Sequence, residues 1–404
     1  MAELAARPRP GFPIRDDPAV PSRGVPPPRI AIAFQGDATD PDSWSGTPAG
    51  IWRGLTETGF EPVAIDARFP GYARLARRLR MSWAEATANP LFATGAGFVA
   101  SRAAARSRID GAIALGSGFA LPANVRAVTF DDMTVAQAMR TGDPAYRSLS
   151  ERARRRWRSR QRAAYARSVA CCVASHWAAD SLVEEYGVPR ERVHVVGFGC
   201  KMPFARNPDR DWSTPRFVFA GFEWERKGGP ALLRAFAALR ERIPAATLDL
   251  VGNHPPVELE GVRGHGPMPL GSAEAQRRYT AILDRATCLV MPSTYEPFGI
   301  AYADAGARGV PSIGTTVGGT ADAIGGGGVL VEPGDDGELL GAMLALSEPA
   351  VAERLGARAN EHAEGLSWDR VTERLVRALH PPGIETERFT QYLQRPLVSN
   401  WHDL

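Results

Sequence analysis

Lysine is almost absent from this chain: of 48 basic residues only Lys201 and Lys227 are lysines, the rest being arginines. Where arginine otherwise serves as the cation, a retained lysine marks a place suited to a compact point charge rather than a planar fork. Cysteine is scarce too. Cys171, Cys172, Cys200 and Cys288 have no metal-ligand spacing and two are adjacent in an apolar strand pattern, so buried, reduced thiols suited to a cytosol are expected. No apolar run approaches the roughly 20 residues of a membrane span. The net charge of +3 gives no reason to expect nucleic acid or another polyanion as a partner. Residues 1–28, rich in Pro and Arg, lack the apolar centre of a secretory signal and read as a disordered tail. There is no Ser–His–Asp set, metal-ligand cluster or Walker loop, and the Gly325–Gly328 run fits no dinucleotide fingerprint.

What is present is alternation. The 404 residues suffice for about two domains with sizeable cores. Short apolar runs at Arg29–Phe34, Pro62–Asp66, Gly111–Leu115, Ala127–Phe130, Val169–Ala174 and Val193–Val196 read as parallel strands between helical stretches. The rhythm restarts with Arg216–Ala220, Thr247–Val251, Thr287–Met291, Pro311–Thr315 and Val329–Glu332. The expected class is therefore α/β, two Rossmann-like doubly wound domains over 29–205 and 212–380. The polar segment Gly197–Asp211 is the linker. Residues 381–404 form a tail whose Phe389, Tyr392, Leu393 and Trp401 could anchor it. The Arg-loaded helix Leu149–Ser168 reads as a solvated face in preference to a membrane-binding one, because apolar anchors are sparse.

The segment from Val290 to Gly319 organises the rest. It reads as strand, Pro/Ser/Thr turn, helix from about Phe298 to Arg308, and strand. Glu296 falls in the turn, at the strand end where open α/β sheets bind ligands, and Asp304 falls on the helix. Phe298, Gly299 and Ile300 open that helix, so their amides lack intrahelical partners and can receive an anion. Two carboxylates for sugar hydroxyls and a helix start for a phosphate thus lie close together.

The residues EPFGIAYADAGARGVPSIGT, beginning at Glu296, resemble the Glu–seven residues–Glu signature of family 4 glycosyltransferases of the GT-B fold, with Asp304 in place of the second Glu. The resemblance implies a cleft between two domains, a nucleotide diphosphate sugar as donor, retention of configuration, and no metal or other cofactor. It also implies that Glu296 holds sugar hydroxyls and Asp304 the ribose, Asp reaching one methylene less than Glu. The family's Lys-Gly pair corresponds to Lys227-Gly228; its Arg five residues earlier is Phe222 here, with Arg226 as a substitute cation.

A diphosphate leaving group gathers negative charge, so cations and aimed amides in a dry cleft are the expected catalytic device. Gly221 and the Arg226–Lys227 turn supply one source, the Gly46-Thr47 turn after the first strand a second, and the Phe298–Ile300 amides a third. Val251–Met268, with Gly266 and Met268, is the expected base-recognition loop, and Gly319 resembles a turn beside the donor. Where the family's first domain carries a His, this chain has Thr129-Phe130-Asp131-Asp132, which nominates Asp131 for orienting the acceptor or the transferred sugar. The sequence leaves the acceptor open among glycan, lipid-linked and small-molecule hydroxyls, and with it a peripheral contact at the inner face of a membrane. Two other readings stay open: an epimerase or hydrolase on the same fold, and a non-catalytic nucleotide-sugar binder.

Overall fold

The computed structural model describes residues 26–380; the tail at 381–404 with its four anchors, and all but the last three residues of the amino-terminal tail, lie outside the described residues. Twelve strands form two six-stranded sheets. The first holds β1 (Arg29–Phe34), β2 (Glu61–Asp66), β3 (Gly111–Leu115), β4 (Ala127–Asp131), β5 (Ala170–Val173) and β6 (Val193–Val195) in the order β2-β1-β3-β4-β5-β6. The second holds β7 (Arg216–Gly221), β8 (Thr247–Gly252), β9 (Val262–Gly266), β10 (Cys288–Val290), β11 (Ser312–Thr315) and β12 (Gly328–Val331) in the order β12-β11-β10-β7-β8-β9. Every pairing is parallel.

Central strands such as β3, β4 and β5 are buried along their whole length, which is why they read as continuous apolar runs rather than alternating ones. The strand that the sequence did not predict is β9. Its residues, VRGHG, are only partly buried at the sheet edge, and an edge strand of this kind carries no apolar pattern to find. All four cysteines are free and buried, and burial raises the thiols of Cys171 and Cys172 above the usual range.

The second sheet reverses its winding direction between β7 and β10, which are neighbours although β8 and β9 intervene in sequence. A crevice opens at such a point, outside the carboxyl ends of the strands. The loop after β7 carries Lys227 and the loop after β10 carries Glu296, so topology alone brings these two side chains to one place.

The last described helix, Trp368–Leu379, belongs by packing to the first domain although the sequence groups it with the second. It lies against the helix Thr47–Glu57 and touches β3, β4 and β5. Trp368 fills the space over Gly50, where an added Cβ would sit 2.1 Å from the indole. Arg374 donates to the Val196 carbonyl at 2.9 Å, and Arg126 to the Leu379 carbonyl at 2.6 Å. The chain's return to the first domain is thus made before residue 381. The linker is pinned as well: Cys200 donates its amide to Leu366 and Ala205 to Ala307. Among the described residues no helix is long and apolar enough to cross a membrane.

Candidate active site

A cleft of about 710 Å³ lies between the domains. Its second-domain wall is built from the loop after β7 and the turn leading into the helix Ile300–Ala307. Gly228, at φ +77°, lets the first of these approach the second; any Cβ there would lie 2.0 Å from the Pro292 carbonyl oxygen. Lys227 then reaches Glu296, with Nζ 2.5 Å from Oε2. Ser293 donates to the same oxygen at 3.3 Å, and the Arg226 guanidinium stands 3.7 Å from it. Arg226 is itself held by Glu223, by the Tyr295 carbonyl at 2.9 Å, and over the Tyr295 ring at 5.0 Å. Burial pulls the Lys227 ammonium below its ordinary value, while the Glu296 charge opposes that shift. The result is a nearly dry site in which two cations share one carboxylate. A bound diphosphate would find both cations preorganised.

The Glu296 backbone is fixed from the other side. It forms an isolated parallel bridge to Gly318, and the Gly319 amide donates to the Glu296 carbonyl at 2.8 Å. Gly319 does not line the cleft. It sits where the domains touch, an added Cβ there falling 2.6 Å from Ser175 Cβ. Its amide holds the Glu296 backbone in place.

Of the other nominated residues, Thr47, Gly221, Met268, Phe298, Gly299, Ile300 and Asp304 line the cleft together with Glu296, Lys227 and Arg226. The helix begins at Ile300 with Gly299 as its N-cap, two residues later than the expected start at Phe298, so Gly299 and Ile300 open it and Phe298 lies just before it. Gly46 lines a separate groove behind the cleft, shared with Arg53, Lys201 and Trp368. Gly266, at the end of β9, lines neither.

Asp131 is also outside the cleft. Its carboxylate points into the first domain, accepting from Ser117 and Tyr165 at 3.2 Å each. Burial, with the nearby Asp132 charge, pushes its carboxyl up to about 7. Successive residues at a strand end face opposite ways, and it is Asp132 that lines the cleft. Asp131 anchors a buried network that continues from Ser117 to Gln161, whose side chain donates to it at 2.5 Å. Gln161 and Tyr165 come from the Arg-rich helix Glu151–Arg167, so that helix is a support for the cleft floor with a solvated outer side. Neither it nor the basic helix Tyr72–Arg78 contributes to the cleft.

Asp304 differs from expectation in what it touches. It is fully buried, and Oδ1 accepts the amides of Lys201 at 2.6 Å and Met202 at 3.3 Å. The Lys201 ammonium lies 3.7 Å from Oδ2, which has no hydrogen bond. Burial raises the Asp304 carboxyl and Lys201 opposes the rise. Lys201 itself lines the cleft; the scarcity of lysine was the signal for it. Asp132, Asp143, Trp44 and Tyr295 are further site residues without a motif of their own, and Tyr295 donates to Asp143 across the domain gap at 2.6 Å. Among the described residues no three His, Cys, Asp or Glu are grouped to hold a metal ion.

Two parallel-sheet domains enclosing a cleft with these groups have the architecture of GT-B glycosyltransferases. Sucrose-phosphate synthase from Thermosynechococcus elongatus superposes with a TM-score of 0.62 at 18% identity, over 87% of this chain and 98% of that one. WaaG, a glycosyltransferase involved in lipopolysaccharide biosynthesis, gives 0.61 at 14%, over 87% and 99%. Within that class, residues 214–348 match the family described as glycosyl transferases group 1. Sequence relatives include a D-inositol 3-phosphate glycosyltransferase 1 of Catenulispora acidiphila, 34% identical over 52% of this chain and 56% of that protein. A glycogen synthase of Mycobacterium tuberculosis is 28% identical over 48% and 49%. The chain spans about half the length of the curated relatives it matches.

Proposed function

We propose that the protein is a retaining glycosyltransferase that moves a hexosyl group from a nucleotide diphosphate sugar to an acceptor hydroxyl. The observation that carries this reading is the meeting of Lys227, Arg226 and Glu296 in one buried corner of an interdomain cleft. In the proposed reaction the bond from the anomeric carbon to the diphosphate oxygen breaks, and the acceptor oxygen bonds to that carbon on the same face. The acceptor proton passes to the departing phosphate oxygen. Lys227, Arg226 and the Phe298–Ile300 amides stabilise the charge that gathers on the diphosphate. Glu296 holds sugar hydroxyls, and Asp304 with Lys201 borders the ribose. The chain's own cations supply this stabilisation, so transfer is proposed to need no bound metal. The unpaired thiols fit a reducing compartment, and we place the protein in the cytosol.

The curated relatives named for D-inositol 3-phosphate suggest a phosphorylated cyclitol acceptor. That part does not carry over easily, because the first-domain wall offers Asp42, Asp132 and Asp143 and no base. A thermal-shift panel of nucleoside diphosphates and nucleotide sugars tests the reading, since a ligand of the native state raises stability by mass action. At least one of them should raise the melting temperature, and that donor should then transfer its sugar with retention. No shift with any of them would refute the reading, and product from the donor without acceptor would favour a hydrolase or epimerase.

A further inference from the structure

The two cleft walls differ in charge: on the second-domain and linker side Glu223, Glu296 and Asp304 offset the cations, while the first-domain side is acidic without any offset. The second-domain wall and the linker contribute Lys201, Arg226 and Lys227; the residues contributed by the first domain include three carboxylates and no cation. Asp42 is committed to the domain contact, since one oxygen accepts the Leu270 and Gly271 amides at 2.8 and 3.2 Å. Asp132 and Asp143 are not ion-paired within the described residues: Asp132 accepts the Met133 amide at 2.9 Å, and Asp143 accepts the Ala145 amide and the Tyr295 hydroxyl. Burial, with Glu296 and Asp143 facing it, raises the Asp132 carboxyl to about 6. Like charges crowded into a partly dry wall oppose one another, and a cation placed among them relieves the repulsion. An ammonium group on the substrate would supply such a cation.

Resting on the glycosyltransferase reading, we propose that the acceptor of this cleft carries a protonated amine, an amino sugar or aminocyclitol, seated against Asp132 and Asp143. The ammonium binds the two carboxylates while a neighbouring hydroxyl of the same molecule attacks the anomeric carbon. An acceptor phosphate would instead meet three carboxylates with no cation on its own wall.

The test uses the full-length protein saturated with whichever nucleotide sugar the thermal-shift panel selects. Acceptors are glucosamine and 2-deoxystreptamine, each with free and N-acetylated amines, and D-inositol 3-phosphate. At least one free amine should exceed its acetylated form in kcat/KM by about tenfold or more, and inositol phosphate should be the poorest. In Asp132→Asn, which keeps the side-chain shape, that ratio should fall about tenfold. Should the variant fail to fold, calorimetric binding of the same pairs to the wild type with the nucleoside diphosphate bound gives the same comparison. Equal use of free and acetylated amines, preference for the phosphate, or no binding by any amine would overturn the inference. Failure of every nucleotide to bind would instead sink the glycosyltransferase reading itself, so the two failures are separable.

Discussion

Glu296 and Asp304 flank the start of one helix, and each meets one of the chain's two lysines, yet their settings differ. Glu296 stands in the cleft with Lys227 at 2.5 Å and Arg226 behind it. Asp304 lies under the linker, its first oxygen filled by two linker amides and its lysine more distant at 3.7 Å. One acid meets its lysine and arginine in the cleft, while the other spends its first oxygen on the linker amides. Matching spacing in a motif therefore does not assign matching work: the work depends on which lone pairs the fold leaves free.

The largest expected effect falls at the open acid. Lys227→Ala and Glu296→Ala should each lower kcat by roughly 10²- to 10³-fold, the loss typical of removing one preorganised charge partner. Circular dichroism should show the fold kept, and near-normal turnover in either variant would break the contrast. Next comes the closed acid. Asp304→Ala strands the amides of Lys201 and Met202 in a buried place, at a cost of about 1–3 kcal/mol for each buried group left unpaired. Denaturant unfolding reads that loss. Asp304→Glu restores the family's longer acid but must push against the linker, and about 1–3 kcal/mol of overpacking is expected. A gain in stability would show that the linker has room for the longer side chain.

A third prediction concerns pH. The folded Asp131 carboxyl sits at about 7, above its unfolded value near 3.8. Its contribution to stability is therefore complete below about pH 4 and is lost as pH rises through 7. Asp131→Asn, with no proton to lose, should flatten the fall in melting temperature between pH 5 and 8. An unchanged slope would remove Asp131 from its buried network. The smallest effect belongs to the domain contact at His176, whose Nδ1 meets Asp322 and whose amide donates to it at 3.0 Å. The Asp322 hydrogen bond raises the imidazole above its usual value, so this contact weakens as pH rises through that raised value. His176→Ala should loosen domain closure slightly at pH 6 and less at pH 9, measured by small-angle scattering.

Eleven of the strands were legible, the clearest being those buried along their whole length, which leave unbroken apolar runs such as GAIAL and ACCV. The edge strand Val262–Gly266 and the domain membership of Trp368–Leu379 were not, since neither an exposed edge nor a helix's partner is written in local pattern. Within the site, Glu296 and Lys227 were found by motif, and geometry added the reason: β7 and β10 are adjacent at the winding reversal. Asp131 was nominated where Asp132 does the facing. A strand end names a neighbourhood, but a shift of one residue turns the side chain to the other face. Lys201 showed itself only by being one of two lysines, a signal that marks a position without giving its partner.

The account rests on Lys227 gripping the diphosphate beside Glu296. Calorimetry comparing a nucleoside diphosphate with its parent nucleoside, on wild type and Lys227→Ala, measures that grip. The diphosphate should bind the wild type far more tightly than the nucleoside, and the variant should lose at least tenfold of that advantage while nucleoside binding stays the same. An undiminished diphosphate advantage in Lys227→Ala would contradict the account.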